Sequence, residues 1–349
     1  MNTQDLQFNI IYTPDTVKYL SPFVHSLMKW SDSHFRLVAN GCGSEERQYL
    51  NDLCAGNDRL QYLCISEDGM IDHGRSLNLL QKDHAGEWFC ALDSDILATG
   101  NFTDELVRLS SSNDVISSCL PVWAIKGDDV LRKSFSRLQG THVKLEDGLT
   151  IGTTYFLLYR NKLVNEIRSS LGVGFERYYW DKIPAEHQET IRTLGVEKTD
   201  YDTAIVFNLL LTARGGKVAY TALENLIHLG GISIARKNSA VQFRRGPVDL
   251  PALKLQKLPI ADALMWCADL FYGNKNIVED CSKAEYINLA SRARRRTTAS
   301  QYFYTLLHAL VDGGELPPVP YMASRITERK LAAAADAVES AFKEAAADR

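Results

Sequence analysis

Residues 87–95 read EWFCALDSD, and the fold turns on them. Glu87–Leu92 is a nearly unbroken apolar run, as expected of a strand buried on both faces of a parallel sheet. It stops at Asp93-Ser94-Asp95, where two carboxylates stand one residue apart. Two such groups in one turn repel unless a cation sits between them. Upstream, FNIIY (8–12), FRLVA (35–39) and LQYLCI (60–65) are three more strand-like runs. Helical spacings lie between them. Phe23, Val24, Leu27 and Met28 follow Ser21-Pro22, a pair suited to opening a helix. Ser44 is placed to cap a second helix, and Leu77, Leu79 and Leu80 belong to a third. Strand and helix in alternation predict an α/β fold with a mostly parallel sheet. In such sheets ligands bind beyond the carboxyl ends of the strands, where Asp93 and Asp95 fall.

Further strands are predicted at 115–120, 154–159 and 217–220, with a long helix over about 201–213. Composition shifts after that. Residues 233–260 carry RKNS, RRGP and two further prolines and read as a connecting segment, and 261–349 is helical in pattern. The expected division is therefore 1–232, 233–260 and 261–349. Leu331, Ala335, Val338, Phe342 and Ala345 recur at spacings of four and three. That apolar stripe predicts a helix docked on its own chain, with a homo-oligomer through the C-terminal helices as the alternative. Every chemistry-bearing motif precedes residue 322, so the last stretch is expected to be independent of the site.

The chain has 349 residues, with 39 Lys+Arg against 43 Asp+Glu and a net charge of −4. That balance argues against nucleic acid as a partner. Seven scattered cysteines without a C-x-x-C pair read as reduced thiols, the pattern of a cytoplasmic protein. No leader-like segment opens the sequence, and its longest apolar run is too short to span a bilayer. The run RARRR (292–296) is a basic helix face that would suit a peripheral membrane contact, a polyanionic glycan or a diphosphate.

Several chemistries fail on spacing. A calcium loop starting at Asp93 would need a glycine at its sixth position, where Ala98 stands. The third glycine of a dinucleotide fingerprint is replaced by Glu46, and neither a P-loop nor a nucleophile elbow is present. A D-x-D phosphatase or phosphotransferase would usually place its motif earlier and carry Thr or Val where Leu97 stands. It remains the enzymatic alternative.

Taken in order, YTP (12–14), YLSPFVHSL (19–27), LVANG (37–41), HGRSLNLLQKDHAGEWFCALDSDIL (73–97), TDYDTAIVFNLLLTARGGKVAY (199–220) and HLGG (228–231) resemble a GT-A glycosyltransferase of the family 2 type. The resemblance covers roughly 8–232. It implies a Rossmann-like mixed sheet flanked by helices, here with a C-terminal helical extension. It also implies a UDP- or GDP-sugar donor and a glycan, lipid-linked or protein acceptor, as in polysaccharide biosynthesis, with inversion expected. Asp93 and Asp95 would hold Mn²⁺ or Mg²⁺, joined by His228. Asp93 and Ser94 would also meet the nucleotide, together with Thr13, Asn40, Arg75 and Asn78. Asp202 would be the general base, with Asp200 second. Trp123, Tyr155 and Trp180 could offer flat faces to an acceptor sugar. A non-catalytic, sugar-binding relative of the fold is the remaining alternative.

Overall fold

A computed structural model describes residues 1–125, 150–233, 283–322 and 324–347, and two short strands at 137–138 and 143–144. Most of the expected connecting segment lies outside the described residues, as do Cys267 and Cys281.

The four apolar runs form β1 (Gln7–Tyr12), β2 (His34–Asn40), β3 (Leu60–Ser66) and β4 (Trp88–Asp93). The helices between them are α1 (Val17–Leu20), α2 (Phe23–Lys29), α3 (Ser44–Ala55) and α4 (His73–Lys82). A short β5 (Ile96–Ala98) continues from β4, followed by α5 (Thr103–Ser110) and β6 (Val115–Ser118). After β7 (Arg137–Leu138), β8 (Val143–Lys144) and β9 (Thr150–Ile151) come β10 (Phe156–Arg160) and α6 (Asn161–Leu171). Then β11 (Tyr178–Tyr179), α7 (Ala185–Thr193), β12 (Asp200–Tyr201), α8 (Ile205–Ala213), β13 (Val218–Tyr220) and β14 (Leu226–His228) follow. Two long helices, α9 (Lys283–Asp312) and α10 (Arg325–Ala347), close the described chain.

The main sheet has seven strands in the order β13-β6-β10-β4-β1-β2-β3. Only β10 runs against the rest, antiparallel to both β4 and β6. The fold is therefore α/β with a mostly parallel mixed sheet and C-terminal helices. Strand periodicity of two divides the core between the sheet's faces. Trp88, Cys90 and Leu92 of β4 face one hydrophobic cluster, and Phe89 and Ala91 face the other. The first cluster takes in Leu50, Leu106, Phe303, Leu306, Leu331 and Val338, and the second is closed by α4, α6, α7 and α8.

Three local expectations need correcting. Residues 201–213 are not one helix. Asp200-Tyr201 is a strand paired with β11 and β7, and Ala204 turns the chain at φ 62° before α8 starts at Ile205. Pairing beyond the local sequence overrides helical spacing there. Ser44 is the first helical residue of α3; its cap is Gly43, whose N–H donates to Glu46 Oε2 at 3.2 Å. Ser21 is instead the C-cap of α1, its N–H donating to Val17 O at 2.9 Å, and Pro22 takes the N-cap position of α2.

The C-terminal helices share the core of the sheet domain. The stripe residues Leu331, Ala335, Val338 and Ala345 are buried, and Phe342 meets Phe23 edge-on at 6.3 Å. Lys29–Glu344 and Lys18–Asp312 tie the same helices to α2 and α1 at their edges. The stripe is thus covered by its own chain. Leu331→Ala is expected to lower unfolding free energy by about 2–5 kcal/mol, because it opens a cavity in that shared core. Urea titration measures it, and a loss below about 1 kcal/mol would show that α10 is not part of the cooperative unit.

Candidate functional site

Chain order reverses at β1, which has β2 on one side and β4 on the other. The crevice beyond the carboxyl ends of β1 and β4 is the place where open α/β sheets take ligands. Ile11 pairs with Asp93, so β4 delivers its last residue there and Thr13 follows from β1. The chain then bends through Ser94 and Asp95 into β5, which pairs with β14 in antiparallel register, Ile96 opposite His228. Leu229 N–H donates to the Asp95 carbonyl at 3.0 Å and Gly230 N–H to Asp95 Oδ2 at 3.1 Å. This ribbon brings a histidine from 133 positions downstream against the acidic pair.

His228 Nε2 stands 3.2 Å from Asp95 Oδ1 and 3.7 Å from Asp93 Oδ2. Its other nitrogen, Nδ1, lies 2.7 Å from the Cys119 carbonyl. A carbonyl only accepts, so Nδ1 carries a proton and donates it. In the neutral ring, Nε2 then presents a lone pair to two carboxylates, the orientation that metal-binding histidines commonly show. Cys119 turns its carbonyl inward at φ 68°, a conformation costing a non-glycine residue roughly 1–3 kcal/mol. Asp95 and His228 are buried, Asp93 is partly open, and Tyr155 lies over the imidazole at 4.7 Å between ring centres. Among the described residues, these three are the group of His, Cys, Asp or Glu able to hold a metal ion, with candidate ligand atoms within 4.8 Å of one another.

The electrostatics express the same crowding. Burial pushes Asp93 up to about 7, with His228 opposing and Asp95 adding to the rise. Burial also disfavours charge on Asp95 and His228, but their contact outweighs it. Asp95 stays below the usual carboxylate range and His228 is raised. Tyr155 registers the wider surroundings: burial lifts its hydroxyl to about 12, Arg296 and Arg292 oppose that, and Asp202 and Asp93 reinforce it.

The glycines of HLGG have a local cause. Gly230 and Gly231 adopt φ of 74° and 94°. A β-carbon on Gly230 would come within 2.5 Å of Pro121, and one on Gly231 within 2.6 Å of Ser300 Oγ.

The second acidic motif divides into two environments. Asp200 is buried and held by Arg177 in a two-pronged pair, Nε–Oδ1 at 2.8 Å and Nη2–Oδ2. Asp202 is half-buried, and its Oδ1 accepts from Thr203 N–H at 2.9 Å. Its charge reaches His73 at the start of α4, whose ionisation burial lowers and Asp202 favours.

Among the other expected residues, Thr13 is half-buried in a turn closed by Thr16. Asn40 is buried and pins the following loop, donating to Ile71 O and Ser76 Oγ and accepting from Ile71 N–H. Asn78 is also buried and accepts from Phe175 N–H at 2.9 Å, whereas Arg75 is exposed. Trp123 is buried with Nε1 donating to Gly230 O, and Trp180 is half-buried beneath Arg192. Sequence reasoning missed Arg177, His73 and the Cys119 carbonyl. Neither a backbone carbonyl nor a pair formed across 23 positions leaves a local signal.

No protein-family model and no curated protein matches the chain. Comparison with solved structures finds glycosyltransferases. Residues 1–349 of S. aureus TarS in complex with UDP-GlcNAc are 15% identical, covering 97% of this chain and 92% of that one, TM-score 0.40. Mannosyltransferase PcManGT from Pyrobaculum calidifontis, in complex with GDP-Man and Mn²⁺, is 10% identical over 97% and 86%, TM-score 0.37. Galactosyltransferase LgtC with donor and acceptor sugar analogues is 14% identical over 82% and 95%, TM-score 0.37. With values this low, the functional reading rests on the site's own geometry.

If the trio takes a metal, that metal competes with its proton. With Asp93 at about 7, Mn²⁺ affinity is expected to fall at least about tenfold from roughly pH 8 to pH 6. Calorimetry measures it, and an affinity independent of pH would remove Asp93 as a ligand.

Proposed function

We propose that the protein is a metal-dependent glycosyltransferase of the GT-A type, family 2-like in layout. Its catalytic unit would be residues 1–232, with a connecting segment at 233–260 and a helical extension at 261–349. One observation carries the proposal: two carboxylates and an imidazole lone pair converge beyond β4, at the sheet's switch point. Oxygen donors with one imidazole suit Mn²⁺ or Mg²⁺. Asp95 and His228, both buried and rigidly seated, would hold the ion with Asp93. Bound there, it would act as a Lewis acid toward the diphosphate leaving group, worth several kcal/mol in the transition state.

The donor would be a UDP- or GDP-sugar. Thr13 and Ser94, at the carboxyl ends of β1 and β4, would meet the nucleotide, together with the exposed Arg75 of α4. Asn40 and Asn78 act indirectly, since their amides hold the 66–72 loop and the backbone before β11. Asp202 is the favoured base toward a hydroxyl of a glycan, lipid-linked or protein acceptor. Asp200 would serve instead as an anchor, because the Arg177 guanidinium engages both of its carboxylate oxygens. A base attacking opposite the departing diphosphate gives inversion. No helix among the described residues is long and apolar enough to cross a membrane. A lipid-linked acceptor would therefore be met at the membrane surface.

Asp202→Asn is expected to leave donor binding within about twofold and to slow transfer by about 10²–10⁴-fold. Single-turnover assays over a panel of nucleotide sugars with Mn²⁺ measure both, and full activity would move the base elsewhere. Asp95→Ala should abolish the Mn²⁺-dependent thermal shift given by a nucleoside diphosphate. An unchanged shift would refute the metal assignment.

A further inference from the structure

α4 opens on His73-Gly74, and its first turn is pressed against the chain ahead of β11. A β-carbon on Gly74 would come within 2.3 Å of Phe175 O and 2.7 Å of the Glu176 α-carbon. Only glycine lets the two backbones approach so closely. Phe175 is fully buried and holds both of its neighbours. Its N–H donates to Asn78 Oδ1 of α4 at 2.9 Å, and its carbonyl accepts from Ala204 N–H at 2.9 Å. Ala204 turns at φ 62°, two residues after Asp202. The start of α4 and the turn that carries Asp202 are therefore seated on one residue. His73 is half-buried at that seat, within reach of the Asp202 charge.

We propose that His73 is the proton-holding partner of the base, acting through Asp202 and not on the substrate. This rests on reading Asp202 as the base. The acceptor oxygen bonds to the anomeric carbon, and the bond from that carbon to the diphosphate breaks with its electron pair on the departing oxygen. The proton of the acceptor hydroxyl passes to the Asp202 carboxylate and from there to the imidazole, which returns it to solvent. Burial prepares the ring for this. It disfavours the imidazolium, so His73 titrates below its ordinary range and is neutral near pH 7. Asp202 favours the charged ring once it forms. A carboxylate beside an imidazole that gains a proton is the arrangement acyl-transfer enzymes also use. The other charges nearby are placed differently. Asp72 and Arg75 are exposed on α4, and Glu176 follows Phe175 with its α-carbon beneath Gly74. Arg177 feels Asp202 but is engaged by Asp200, and Tyr155 feels it from the metal side.

Proton NMR of the full chain reads the pair directly, because His73→Gln identifies the His73 signal among the eight histidines. In Asp202→Asn that signal should titrate at a pH lower by about 0.5 or more, since the charge favouring the imidazolium is gone. An unmoved titration overturns the coupling. Turnover is read as nucleoside diphosphate release from UDP-GlcNAc, UDP-glucose and GDP-mannose with Mn²⁺, water serving as the acceptor. In the wild type, kcat should fall as pH drops through the His73 titration, because a ring already protonated accepts nothing. At about pH 7.5, His73→Gln should lower kcat by about tenfold or more and leave donor KM within about twofold. It should also move the acid limb of the profile down into the carboxylate range. A merely structural histidine would lower the melting temperature and scale the whole profile without moving the limb. That result, with Asp202→Asn still inactive, removes the proton relay and leaves the transferase reading standing. No release from any donor by the wild type removes both.

Discussion

Three hydrogen-bond acceptors face one another at the end of β4: a carboxylate oxygen of Asp93, one of Asp95 and, in the neutral ring, Nε2 of His228. The Cys119 carbonyl fixes the proton of His228 on Nδ1 and so aims the Nε2 lone pair at Asp95 and Asp93. Such a cluster is stable only with a positive charge in its middle. A proton can serve, and the raised His228 and Asp93 show where it would sit. A divalent cation would meet all three groups at once. The strain at Cys119 and the paired glycines after His228 are consistent with a geometry the surrounding chain maintains against local preference.

The scaffold accounts for that maintenance. Asp93 is held by sheet register, Asp95 by two backbone N–H groups of the 229–230 turn, and His228 by the β5–β14 ribbon. Each restraint belongs to a different level of structure, so a small displacement of one is resisted by the other two. The buried core on both sides of β4 keeps its carboxyl end stationary relative to β1. Ligand groups on a rigid edge of this kind are already placed before a ligand arrives.

Much of this was legible from residue order alone. The apolar runs gave the four parallel strands to within a residue or two, because strands buried on both faces have little other way to read. Asp93, Asp95 and His228 could be grouped only through the resemblance of their motifs, in order, to the GT-A pattern, because a D-x-D is common by chance and a lone histidine in apolar surroundings is more often a core residue. What was not legible depends on contacts between distant residues. Asp200 and Asp202 look equivalent in TDYDTA; only the fold shows that Asp200 is buried and gripped by Arg177, 23 positions away. Asn40 and Asn78 sit where a nucleotide contact would be expected, yet their amides are engaged by Ile71, Ser76 and Phe175. A polar residue at a strand or helix end has the same sequence signature whether it meets a ligand or a loop.

The C-terminal helices change how the site is bounded. Motif order suggested that everything needed for donor binding precedes residue 322, yet α10 buries its stripe in the same core as β1 and β4. Through that core α10 supports α9, which in turn places Ser300 on Gly230 and Arg295 on Trp123, beside the turn that follows His228. Loss of α10 would therefore expose the apolar faces of α2 and α9 together and loosen the backbone that seats the histidine. The site is a property of the sheet and the terminal helices jointly, and its acidic half cannot be separated physically from the helices that cover it.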